Sequence, residues 1–299
     1  MSRTDSSASA HLIAAVRITP RVALTWLVAS VAGFFAFAYG FGSLFAMLDG
    51  RSFEPITVTT VSVTGLSVRL VAVLVLVSIV VVGHELLHGV FIARYGGDPG
   101  YGVGVSQFVF PYAYATTDRS YARTELVVIL LAPFVVITAL GLATALVYPS
   151  SLVVVALAVN AAGSIGDLWM AAVLLQYPAD VRVAALPDER GGGFGVYASS
   201  DGTVTRRPGT ALLARVCAGA VGTFAVLVAG GLTVVFSSLA AGSGTVVVGD
   251  PGSTWFLFSH ERLAGGGAAL EVGTPLVVGL TIAGGVCWGL VSAIRRPLE

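Results

Sequence analysis

Three polar side chains interrupt an otherwise apolar run: His84, Glu85 and His88, in the segment IVVVGHELLHG at 79–89. On an α-helix, His84 and His88 share a face, about 6 Å apart along the axis at ~1.5 Å per residue. Two imidazoles so placed can close on one tetrahedral Zn²⁺. Glu85, beside the first of them, can then reach an attacking water as its general base. Such a centre needs a third protein ligand and an open fourth position, so a partner has to come from elsewhere in the chain.

The surrounding run, from Leu66 to Tyr95, is long enough to be a membrane helix. Histidine and glutamate at membrane depth are costly unless they face a protein interior or a water-filled cavity. The chain has four histidines, His11, His84, His88 and His260. Hydrocarbon offers no water to a bystander imidazole, so a metal pair outweighs two ordinary core histidines here. Asp167 is the only other carboxylate deep in an apolar run, with Asn160 two turns before it, and is the expected partner. Pairing with an arginine or capping a kink is its bland alternative.

Composition points the same way. Of 299 residues, 56% are hydrophobic and 11% charged, with zero formal net charge; mean hydropathy is +0.90. A soluble domain carries about 25% charged residues, so this is read as an integral membrane protein. The zero net charge gives no reason to expect a nucleic-acid partner. Cys217 and Cys287 lie in apolar runs and are expected to be buried thiols, neither a disulfide framework nor a zinc site. All sixteen basic residues are arginine.

The expected fold class is an all-α polytopic membrane protein of about six transmembrane helices, with a small β-hairpin-like insertion after the H-E-x-x-H helix. Residues 1–20 read as a polar tail in which His11 is solvated, and 22–48 as the first span. A Thr- and Val-rich connector at 49–65 precedes the second span, 66–95, where Arg69 can snorkel to the interface. Gly96-Gly97-Asp98-Pro99-Gly100 should end that helix. Alternating aromatic and β-branched residues over 101–117 read either as two short strands turning near Ser106-Gln107 or as an interfacial loop with an aromatic belt. A hairpin there could hold an extended substrate on its open edge.

The third span is 126–147, kinked at Pro133, and the fourth is 152–177. Residues 178–208 read as a charged, glycine-rich linker in which Asp188 and Glu189 are solvated. The fifth span is 210–239, followed by a Gly-rich loop over 240–272 with TWFLFSHERL along the membrane surface, leaving His260 and Glu261 exposed. The sixth span is 275–294.

An inside N-terminus puts most arginines, from Arg3, Arg17 and Arg21 to Arg295 and Arg296, in or beside cytoplasmic segments; Arg51 and Arg262 remain outside. That orientation runs spans two and four in the same direction, both ends of the chain being cytoplasmic. His84, His88 and Asp167 then fall at similar depth in the cytoplasmic half, so the fourth span can deliver an oxygen ligand to a zinc held by the second.

These residues carry a resemblance. HELLHG in a membrane helix, then RSYARTELVVILLAPF, then NAAGSIGDL, resembles a family of membrane zincin peptidases, itself similar to the site-2 protease group of intramembrane metalloproteases. The resemblance covers roughly residues 75–190. It implies zinc ligation by His84, His88 and Asp167, catalysis by Glu85, and a substrate-orienting or oxyanion-stabilising amide at Asn160. Site-2 proteases usually show an Asn, then a Pro, then Leu-Asp-Gly; here Gly163 stands where the proline is expected, and the carboxylate Asp167 is followed by Leu168-Trp169.

The expected function is thus a membrane-embedded zinc metalloprotease acting on a peptide or membrane-protein substrate near the cytoplasmic face of a cell membrane. Its rival is a non-catalytic membrane protein using the same His, Glu and Asp for metal or proton transport, sensing or partner binding.

Overall fold

The computed structural model describes residues 11–50, 56–58, 62–105, 111–186, 193–198, 208–242, 244–263 and 267–295. The expected turn at Ser106-Gln107, Phe108 and Phe110 of the aromatic alternation, and Asp188 and Glu189 lie outside them. Seven helices and ten strands follow one another in the described residues. Five helices are apolar and long enough to cross a membrane, six spans if one bent pair counts as a single span.

The chain divides into two units, and the division cuts through five of the helices. In the first unit, strand β1 (His11–Arg17) precedes helix α1 (Pro20–Leu48). Helix α2 (Val63–Arg94) ends where Gly96, at φ 77°, supplies the left-handed residue that terminates a helix. The Gly97 N–H returns to the Ile92 carbonyl and that of Gly96 to Ala93, which satisfies the last turn. Strands β3 (Gly100–Val105) and β4 (Pro111–Thr116) pair antiparallel as a two-stranded sheet. Of the two sequence readings for 101–117, the strand pair is the one present.

Strand β5 (Tyr121–Ala122) leads into helix α3 (Arg123–Val147), which runs through Pro133. The Glu125 carboxylate accepts from the Ala122 N–H at 2.8 Å, a side-chain cap on that helix's open donors. The span expected to be continuous over 152–177 is two helices, α4 (Ser151–Gly163) and α5 (Ile165–Leu174), bent by 41°. The break falls at Gly163-Ser164, and the Ser164 hydroxyl donates back to the Asn160 carbonyl at 2.8 Å.

Strands β6 (Arg182–Ala185) and β7 (Gly193–Ala198) complete an antiparallel sheet in the order β1-β7-β6-β5. Val16, Val183, Phe194 and Val196 from this sheet pack with Leu130 of α3 and Ala171 and Leu174 of α5. That apolar cluster holds the helices carrying the third-ligand candidate against a rigid platform.

In the second unit, strands β2 (Ile56–Val58), β8 (Thr245–Val248), β9 (Phe258–Arg262) and β10 (Ala268–Val272) form a sheet in the order β2-β10-β9-β8. Helices α6 (Pro208–Ala241) and α7 (Thr274–Arg295) pack through small residues. A Cβ on Gly285 would lie 2.7 Å from the Val216 carbonyl, and one on Gly219 2.4 Å from Trp288 Cβ. Close approach of this kind is how helices associate where lipid removes the hydrophobic drive.

Besides the expected hairpin, two four-stranded sheets correct the otherwise all-α expectation. The tail and the linker pair with each other, β1 on β7, and the loop at 240–272 contributes three strands of the second sheet. β1 on β7 and β2 on β10 join segments far apart in the chain, which no local pattern announces, whereas β8, β9 and β10 pair with their neighbours in sequence. His260 is the clearest casualty. Expected to be exposed, it is fully buried on β9 between Val246 and Leu270, with neither ring nitrogen hydrogen-bonded among the described residues. Glu261 beside it is exposed, as expected. Cys217 and Cys287 are exposed on their helices; an apolar run destined for lipid faces outward as readily as inward.

Candidate metal centre

His84 and His88 lie on α2, four residues apart, and their rings meet edge to face with centroids 4.9 Å apart. They are 8% and 6% exposed, although the helix around them is largely uncovered by protein. Asp167 stands in the first turn of α5 and points its Oδ2 at both imidazoles, 3.1 Å from His84 Nε2 and 3.5 Å from His88 Nε2. The bend at Ser164 does not separate it from Asn160; the two flank one imidazole, because seven residues bring a helix back to nearly the same face.

The opposite edges of the rings are also held. His84 Nδ1 lies 3.1 Å from Asn160 Oδ1, and His88 Nδ1 lies 2.9 Å from the backbone carbonyl of Ile129. A carbonyl oxygen only accepts, so His88 must carry its proton on Nδ1. The Asn160 amide is oriented alike: its Nδ2 lies 3.5 Å from the carbonyls of Pro133 and Phe134, leaving its oxygen for His84. With Nδ1 carrying a proton, each Nε2 faces the Asp167 carboxylate, to which it donates as an imidazolium or beside which, in the neutral ring, it has a lone pair to offer a cation.

The donor set fits zinc. Bonds of ~2.0–2.1 Å to a tetrahedral ion place neighbouring ligand atoms about 3.3 Å apart, against the 3.1 and 3.5 Å found. All three candidate ligand atoms lie within 4.8 Å of one another, the one such cluster among the described residues. Outer acceptors that fix the imidazole tautomer are the usual company of metal-bound histidine.

Glu85 is half-buried next to the cluster, with His84, His88 and Asp167 as its titratable neighbours and the backbone N–H of Ala115 in β4 facing its carboxylate. One turn on, Gly89 lies on the same face of α2. A Cβ there would lie 1.7 Å from the Tyr101 hydroxyl, so this glycine is the gap into which β3 sets its tyrosine. The hairpin thus crosses the helix over the Glu85-Gly89 face.

Every candidate ligand from the sequence meets here, and His11 and His260 do not. Asn160 has another set of partners than a substrate amide would need: it is 1% exposed and engaged with His84 and the α3 backbone. The Ile129 carbonyl and the Ala115 N–H escaped the sequence reading because backbone groups have no letter. Gly89, the residue after the second histidine, was the available signal for the hairpin contact.

Residues 76–182 match the model of a family described as "Putative zincin peptidase". Comparisons with curated proteins and with solved structures give no match. The matched residues include His84, Glu85, His88 and Asp167, so the segment that carries the cluster is similar to that family.

Proposed function

We propose that this protein is a membrane-embedded zinc metallopeptidase that hydrolyses peptide bonds at or near the cytoplasmic side of the bilayer. The observation that carries the reading is the convergence of two Nε2 atoms on the Asp167 carboxylate at the separations of zinc ligands, with Glu85 beside them. His84, His88 and Asp167 would hold the ion. When bound, zinc supplies Lewis acidity, polarising the scissile carbonyl and making water easier to deprotonate.

Glu85 accepts the proton that the attacking water gives up, and returns it to the amide nitrogen as the C–N bond breaks. Asn160 and the Ile129 carbonyl keep both imidazoles in one tautomer and orientation throughout. Two backbones, β4 beside Glu85 and β3 over Gly89, lie next to the base. An extended substrate chain laid along that hairpin by strand addition would bring its peptide bond to Glu85. Both chain ends are placed in the cytoplasm, on the arginine distribution.

Glu85→Gln tests this directly in purified protein incubated with a quenched-fluorescent peptide pool. The variant should keep its zinc and lose cleavage by at least ~10²-fold, and a chelator should abolish wild-type cleavage until zinc is returned. Metal-dependent flux into liposomes from a wild type that cuts nothing would replace the peptidase with a transporter.

A further inference from the structure

A proline inside a helix has no N–H for the carbonyl four residues earlier, and its ring presses that carbonyl off the helix axis. Four residues before Pro133 is Ile129, and the Ile129 carbonyl is the acceptor 2.9 Å from His88 Nδ1. The same turn of α3 supports the other imidazole. The Pro133 and Phe134 carbonyls lie 3.5 Å from Asn160 Nδ2, and Asn160 Oδ1 holds His84. Pro133 is itself less than 2% exposed and Ile129 3%, so water does not compete for these acceptors.

We infer that Pro133 is a positioning residue of the metal centre: the N–H it lacks frees the Ile129 carbonyl for His88, and its own turn anchors the amide that holds His84. The inference rests on the metal-centre reading above. In an unbroken helix the Ile129 carbonyl would be committed along the axis to residue 133, poorly aimed at a neighbouring helix. A proline weakens the helix that contains it. Here that weakness falls where an imidazole on another helix gains its acceptor.

Pro133→Ala restores the N–H and favours a regular helix, so a role confined to the centre and a role in packing predict opposite things. Full-length wild type and variant are purified in detergent. Zinc affinity is measured by competition with a chelator, and thermal unfolding is followed on the metal-free forms. The expected result is zinc binding weakened about ten- to a hundredfold, with a metal-free melting temperature unchanged or raised. Equal zinc affinity would overturn the inference. So would a variant that loses zinc together with metal-free stability, or does not fold, since that makes Pro133 a packing residue. A wild type without zinc affinity would be distinct from these, removing the metal reading and this inference with it.

Discussion

At the scale of single residues, the proposed centre separates atoms that would hold an ion from atoms that aim them. Among the described residues, Asp167 gives the one carboxylate oxygen close to both Nε2 atoms, whereas Asn160 reaches only the far edge of His84. Their substitutions should therefore differ in kind. Asp167→Ala leaves two imidazoles and should lose stoichiometric zinc, read by metal analysis after dialysis. Asn160→Ala keeps every ligand and should weaken zinc about ten- to a hundredfold, read by chelator competition. Equal zinc content and affinity in both variants would show that α5 is not part of the centre. His84, Glu85 and His88 were legible because their types and spacing already specify a geometry on any helix.

At the scale of elements, the hairpin and α2 are joined by a missing side chain. A methyl group at Gly89 cannot coexist with the Tyr101 hydroxyl where it stands. Alanine is also a better helix former than glycine by about 1 kcal/mol. Gly89→Ala should therefore leave α2 intact and dislodge β3. The measurable outcome is faster proteolysis within 100–116 and a several-fold higher KM, with zinc content unchanged. An unchanged KM and unchanged protection would detach the hairpin from substrate binding. The alternation of aromatic and β-branched residues made this strand pair readable. The break inside the fourth span was not, since Gly163-Ser164 is tolerated in a continuous helix and only the 41° bend reveals it.

For the whole molecule, the described residues hold five helices long and apolar enough to cross a membrane, or six spans if the bent pair counts as one, and the proposed direction rests on the arginine pattern. A fluorescent protein fused to the C-terminus should glow in the cytoplasm, and a phosphatase fused at the same point should be inactive. The reverse pair of results would turn the molecule over and put the metal centre near the other face. Sheets occupy what the sequence suggested was tail, linker and loop, and for the tail and the linker the reason is distance along the chain. β1 finds β7 across more than 170 residues, and neither strand has enough alternation of its own to declare itself.

What the sequence determined alone is the set of groups that a helix or a bilayer constrains locally. Helical periodicity places two histidines and a glutamate on one turn, and hydrocarbon demands a partner for them, which singles out Asp167. The tertiary structure decided everything carried by backbone atoms and by long-range contact. It chose the carbonyl that orients His88, turned Asn160 inward to hold His84, and sealed His260 inside a sheet. Side-chain types are written in the sequence, but a carbonyl becomes an available acceptor only when the helix around it leaves it unpaired. A residue becomes buried only when a distant segment arrives to cover it.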